Sequence, residues 1–506
     1  MIKILNNDQV RLADAATIAN EPILSIDLME RAATACTEWI FQRYPAGNSF
    51  LICCGKGNNG GDGLAIARQL WKRGKNITVC IAENTGNASA DFSTNLMRWN
   101  ELTGQQVIAL HTAADLPQTA PGTIIIDAFF GSGLNRDIDP QLGDIIKQLN
   151  GLPCNIISID APSGLYGDKP STHRDHIIRA STTLSFQVPR PAFLYPEYEA
   201  FIGEFQLLDI RLNADYIEQA PAYGFILNDL DIAGLLPPRP IFGHKGNFGH
   251  ALLLAGSYGK AGAAILAAGA ALRSGAGLLT VRTPEKCVYP LQTALPEAMC
   301  LPDIHPECLQ EIVPPGKYDA IGIGPGIGQD PQTANVLKRC LQDFDLPMVI
   351  DADALNILSQ NPTWLNFLPA GTILTPHLRE FERLAGKIAD PFARTARQLE
   401  LAKKYNCYIL LKGKFSALAC PDGQLFFNPT GNNGMAKGGS GDVLTGIITG
   451  LLAQGIGPMK AVLTGMYLHG LAGDLAAAEH TAYGMKAGDI NDYLPSAFTE
   501  VLKSAL

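Results

Sequence analysis

Two glycine-rich loops in this sequence each run into an aspartate. In GKGNNGGDG, residues 55–63, the group is Asn58, Asn59, Gly60, Gly61 and Asp62. In GMAKGGSGD, residues 434–442, it is Gly438, Gly439, Gly441 and Asp442. Glycine lets backbone approach a ligand closely, and a helix N-terminus offers unpaired N–H groups and a positive dipole end. The first loop is neither a GxGxxG nor a phosphate-binding GKS/GKT motif. In the second, successive glycines allow several N–H groups to face one anion, and Asp442 is placed to accept a proton from a substrate hydroxyl beside it. Helix capping alone accounts for each aspartate. It does not account for the density of glycine or for two adjacent asparagines.

Two further carboxylates end apolar runs. Asp127 closes TIIID and precedes AFFGSGLNRD, which holds Gly131, Ser132, Gly133, Leu134, Asn135, Arg136 and Asp137. Asp160 closes IISID and precedes APSG, with Ser163. A carboxylate directly behind such a largely apolar run is costly to bury without a partner. Asn59, Asp127 and Ser163 together offer the oxygen ligands that a hard cation prefers.

These loops need a scaffold that brings strand ends together. The runs SFLICCG, NITVCIA, TIIIDAFFG, CNIISIDAPSG, STTLSFQ and GEFQLLDI alternate with helical stretches. That pattern predicts a parallel, doubly wound sheet, whose C-terminal strand ends line a ligand crevice. It breaks in the Pro- and Gly-rich LLPPRPIFGHKGNFGH and restarts with HALLLAG, AGLLTVRTP, YDAIGIGPG, PMVIDADA, GTILTPH, CYILLKG and FSALACPDGQLFF. From Gly441 onward the chain reads as mostly helical. The expected organisation is one α/β domain over residues 1–220 and a second, larger one over 228–506.

At 506 residues and 47% hydrophobic, the chain is ample for two cores. Its net charge of -9, without a long basic run, argues against nucleic-acid and anionic-membrane partners. The N-terminal stretch lacks the apolar core of a signal peptide, and AGAAILAAGAALRSGAGLL is interrupted by Arg273 and glycines, so no membrane span is expected. The eleven cysteines form no CxxC pair, which disfavours zinc and disulfides and favours a cytoplasmic location.

GNNGGDG, DAFFGSGL and IDAPSG together resemble the NAD(P)H-hydrate epimerases over most of residues 1–215. The resemblance implies a Rossmann-like three-layer fold. It implies that residues 58–62 and 131–137 contact the hydrated dinucleotide, that Asp160 lies at the nicotinamide ring, and that Asn59, Asp127 and Ser163 hold potassium. Ala161 and Tyr166 depart from the usual pattern of that family.

The second half, with HKGNFGH, GIGPGIG, DADAL, LTPHLREFERL, LLKGKFS and GSGD in order, resembles the ADP- or ATP-dependent NAD(P)H-hydrate dehydratases of the ribokinase-like fold. That resemblance implies that Gly326 and His377, with Ala263, hold the hydrated nicotinamide nucleotide. Lys412, Gly413, Lys414, Phe415 and Ser416, with Gly438, Gly439 and Gly441, would hold ADP or ATP with magnesium. Asp442 would be the base. Lys437, beside the anion nest, is expected to add a phosphate contact.

A bifunctional repair enzyme acting on NADHX and NADPHX, assembled as a homo-oligomer, is the reading these resemblances imply. The alternative is a ribokinase-like small-molecule kinase fused to a non-catalytic dinucleotide-binding module.

Overall fold

The computed structural model describes residues 1–45, 47–313 and 316–504. The chain folds as two compact units, Lys3–Tyr223 and Gly224–Leu506, the second taking in Met1–Ile2.

A short strand, β1 (Ile2–Ile4), opens the chain. The first unit is built on β2 (Ser49–Cys54), β3 (Asn76–Ala82), β4 (Ile108–Leu110), β5 (Ile124–Ala128), β6 (Asn155–Ile159), β7 (Thr182–Phe186) and β8 (Glu204–Leu208). All pair in parallel, in the order β4-β3-β2-β5-β6-β7-β8. Strand order reverses between β2 and β5, which opens a crevice at their C-terminal ends. Both faces of β2 are covered. Phe50, Ile52 and Cys54 join one core with Leu64, Phe92 and Trp99, while Leu51 and Cys53 join another with Leu142, Ile145 and Ile146. This is why SFLICC is a continuous apolar run rather than an alternating one.

The second unit carries β9 (Gly224–Ile226), β10 (His250–Leu254), β11 (Leu278–Pro284), β12 (Met299–Asp303), β13 (Ala320–Ile323), β14 (Met348–Ile350), β15 (Ile373–Leu374), β16 (Tyr408–Leu411), β17 (Ala417–Ala419) and β18 (Leu425–Phe427). Their order is β9-β18-β17-β16-β15-β14-β13-β10-β11-β12, parallel except that β17 runs antiparallel to both neighbours. The run FSALACPDGQLFF, read from sequence as one segment, splits into β17 and β18. Gly423, at φ +91°, donates its N–H to the Cys420 carbonyl at 3.0 Å and turns the chain back.

Helix Ala261–Arg273 lies against helix Ser440–Ala453. A Cβ on Gly446 would meet Ala270 Cβ at 2.7 Å, and one on Gly450 would meet Ala271 Cα at 3.0 Å. The small residues of AGAAILAAGAAL therefore serve close helix packing. Among the described residues no helix is long and apolar enough to cross a membrane.

Candidate active sites

In the first unit, the expected residues gather at the C-terminal ends of β2, β5 and β6. Helix Asn58–Lys72 begins at the GNNGGDG loop. Asp127 is the penultimate residue of β5 and is fully buried. It accepts hydrogen bonds from Ser158 Oγ at 2.7 Å, Ser163 N at 2.9 Å and Ser163 Oγ at 2.5 Å. Burial pushes its pKa up, and these bonds pull against that. Ser163 Oγ also lies 2.9 Å from Phe130 N and 3.1 Å from Phe130 O.

Asp160 follows β6 with φ +65°, a left-handed conformation that Asp tolerates better than most residues. Its Oδ2 accepts from Ser132 N at 2.7 Å, and its Oδ1 pairs with Arg190 Nη2 at 3.0 Å. Arg190 is 1% exposed and also donates to Val188 O at 2.8 Å. Gly131 lies against this group. A Cβ there would sit 2.6 Å from Asp160 Oδ2 and 3.2 Å from Asn59 Oδ1. Asn59 Oδ1 and Nδ2 are both buried without a hydrogen-bond partner. Such an amide lacks something to bind. Its oxygen, the Asp127 carboxylate and the Ser163 hydroxyl form a donor set that fits a hard cation.

Two acids enrich this site. Asp62 is pushed well up by burial and by Asp160, Asp14 and Asp91. Asp14, on helix Asn7–Asn20, rises to about 7 through burial and the nearby Asp160, opposed by Arg190. Neither Asp14 nor Arg190 stands out in the sequence, because each sits far along the chain from these strand-end loops in an ordinary local pattern. The outer end of the 131–137 loop is anchored separately. Asp137 accepts from Tyr166 OH at 2.8 Å and lies 3.5 Å from His173 Nε2, and the Asn135 carbonyl accepts from Lys169 at 3.2 Å. Leu134 is buried, while Gly133 and Arg136 are exposed.

In the second unit, helix Ser440–Ala453 starts at Gly439, whose φ is +100°. A Cβ on Gly439 would meet Leu266 Cδ1 at 2.6 Å, whereas one on Gly438 would meet nothing within 4 Å. The nest therefore has one packed glycine and one open glycine. A Cβ on Gly441 would lie 3.2 Å from Lys412 Nζ and 3.3 Å from Asp351 Oδ2. Lys412 Nζ pairs with Asp351 Oδ1 at 2.7 Å, and Thr445 Oγ1 donates to Asp351 Oδ2 at 2.9 Å. Asp442 is pushed up to about 6 by burial and Asp351, against the pull of Lys412. Asp351, the first residue of DADAL, lies just after β14, and nothing in its local sequence marks this role. His469, likewise unmarked, is pushed down to about 4 by burial and lies 2.9 Å from the Ser440 carbonyl.

The remaining expected residues divide into clusters. A Cβ on Gly326 (φ +64°) would lie 2.9 Å from Ala263 Cβ, and the Gly326 carbonyl accepts from Ser257 Oγ at 2.7 Å. Asp353 links this loop to the acidic group, accepting from Gly328 N at 2.9 Å and pairing with Lys260 at 3.1 Å. His377 bridges to Lys412 and caps helix Leu378–Ala385, its Nδ1 accepting from Arg379 N at 3.1 Å. Burial and Lys412 push its pKa down. The 412–416 loop closes on itself, with Ser416 Oγ 3.2 Å from Gly413 N, and Lys414 donates to the Gly431 carbonyl at 2.5 Å; Phe415 lies within this loop. The Lys437 ammonium donates to the Tyr483 carbonyl at 2.9 Å and to that of Met485. These two carbonyls hold the ammonium beside the nest.

The family described as NAD(P)H-hydrate dehydratase matches residues 251–496, and that described as YjeF-related protein N-terminus matches residues 25–192. The bifunctional NAD(P)H-hydrate repair enzyme of Moorella thermoacetica is 36% identical over 94% of this chain and 92% of its own length. The chain belongs to the bifunctional NAD(P)H-hydrate repair enzyme family. The Escherichia coli member is 31% identical over 92% of this chain and 88% of its own. A solved structure, the Bacillus subtilis ADP/ATP-dependent NAD(P)H-hydrate dehydratase co-crystallised with ATP/Mg2+, is 34% identical, covering 55% of this chain and 99% of that one, with a TM-score of 0.47.

Proposed function

We propose that this chain restores hydrated NADH and NADPH in two steps, one in each unit. The first unit interconverts the R and S hydrates at C6 of the nicotinamide ring. The second dehydrates the S form at the expense of ADP or ATP, giving AMP or ADP and phosphate. The observation that carries this reading is the pairing of one aspartate fixed beside an orphaned asparagine with another aspartate poised near neutrality at a glycine nest.

In the second unit, Asp442 takes the proton of the C6 hydroxyl. The freed oxygen attacks the terminal phosphorus, whose bond to the nucleotide breaks. Phosphate then leaves C6 as the C5 proton is lost, restoring the double bond. N–H groups of the nest, with Lys412, stabilise the transferring phosphoryl group. Magnesium bound with the nucleotide would neutralise phosphate charge. In the first unit, residues 58–62 and 131–137 hold the dinucleotide and Asp160 orients the ring. Asn59, Asp127 and Ser163 would hold a potassium ion, which supplies positive charge beside the substrate.

The test is recovery of reduced-nicotinamide absorbance from a mixed R/S NADHX preparation with magnesium and ADP or ATP. Full recovery is expected. Recovery that stalls at the S fraction would remove the epimerase assignment. A stable phosphate ester as product would favour the kinase alternative.

A further inference from the structure

A cleft of about 630 Å³ lies beside the first unit's site, lined by residues outside that site. Phe92, Leu96 and Met97 of helix Ala90–Thr103 form its apolar wall, and Lys56 and Gly86 sit on its rim. Lys56 immediately precedes the glycine–asparagine loop, and its carbonyl accepts from Ser89 N at 2.9 Å. The cleft therefore shares a backbone segment with the substrate loop. On the other side, Gly86 (φ +102°) lies under Arg136, and a Cβ there would be 3.4 Å from Arg136 Nη2. Arg136 thus reaches from the 131–137 loop to the cleft rim.

We infer that this cleft takes the adenylate half of the hydrated dinucleotide, with Arg136 facing the pyrophosphate. The inference rests on the proposed epimerase reading of this unit. Strand order supports it. Asp160 follows β6, and the cleft rim follows β2 and β3, in the order β3-β2-β5-β6. Two inter-strand steps to β2 and three to β3, of about 4.8 Å each, separate them, a span that an extended dinucleotide covers from ring to ring. An apolar wall bordered by polar groups suits a purine, with its flat face and polar edge. Met97 is 54% exposed, so its apolar surface is available to a ligand.

Met97→Glu and Arg136→Ala test this, with NADHX compared against the hydrate of reduced nicotinamide mononucleotide, which lacks the adenylate half. In wild type, kcat/KM for epimerisation is expected to favour the dinucleotide, and equal values for the two hydrates would overturn the inference. Each variant is expected to reduce that ratio by about tenfold, and an unchanged ratio would overturn the inference. The melting temperature checks that the variants fold.

Calorimetric titration with AMP supplies a reading independent of catalysis. Wild type is expected to show one more AMP site than Met97→Glu. Equal numbers of sites would overturn the inference. A lost AMP site in a chain whose wild type epimerises neither hydrate would keep the subsite and discard the epimerase reading.

Discussion

Both candidate sites put an aspartate where a strand or glycine-rich turn delivers it to a crevice, but they hold it differently. Asp160 is clamped: Ser132 N–H and the buried Arg190 occupy its two oxygens. Asp442 lies near an ion pair, Asp351–Lys412, whose members pull its pKa in opposite directions. A clamped carboxylate suits orientation and charge stabilisation. A carboxylate poised near neutrality suits taking a proton and returning it. Strain follows the same division. Asp160 itself sits at positive φ, while in the second site the strained residue is Ala352, next to Asp351. Such conformations cost on the order of 1–3 kcal/mol each and persist where surrounding structure enforces them.

The comparison breaks most sharply by exchange of function. Asp442→Ala is expected to lower the dehydration rate by about 10³-fold while epimerisation continues; Asp160→Ala should do the reverse. Equal loss of both activities in either variant would mean the two units do not carry separate reactions. Next in size is the clamp. Arg190→Met leaves Asp160 without its buried cation and should destabilise the first unit by about 3–5 kcal/mol, read by denaturant unfolding; a change below 1 kcal/mol would show that the pair is not a structural anchor.

The poised site makes a pH prediction. Because the carboxylate form of Asp442 is the base, dehydration should fall as pH drops through about 6. Asp351 raises the Asp442 pKa and Lys412 lowers it. Asp351→Asn should therefore move the acid limb downward by about 1 unit. An upward shift in the pH–rate profile would reverse the assignment. The smallest expected effect concerns the orphaned amide. Asn59→Ala should abolish any potassium activation of epimerisation, while the same salt titration leaves dehydration unchanged. Retained activation would free Asn59 from the cation.

Much of the scaffold was legible in sequence. Strands β2, β3, β5 to β8, β10, β11 and β13 to β16 coincide with largely apolar runs bounded by Gly, Asp or Pro, since strands covered on both faces by helices are mostly apolar. Strands β4, β9 and β12 were not read. The first two are three residues long, and β12 is only partly buried, so their hydrophobic signal is weak. Loops that gather at the sites carried their own signal in glycine density. Their partners did not: Asp14, Arg190 and His469 lie in helices or loops with no local mark of chemistry.

The sequence by itself determined that two α/β units exist and that each presents glycine-rich turns ending in acids. Composition and apolar periodicity are local properties, and they report burial and turn geometry directly. Tertiary structure alone decided which acid is clamped and which is poised. Those states depend on desolvation and on charges brought from distant segments: Arg190 to Asp160 across thirty residues, and Asp351 to Lys412 across sixty-one. It also decided that Lys437 binds the Tyr483 and Met485 carbonyls, partners that no spacing within its own loop records.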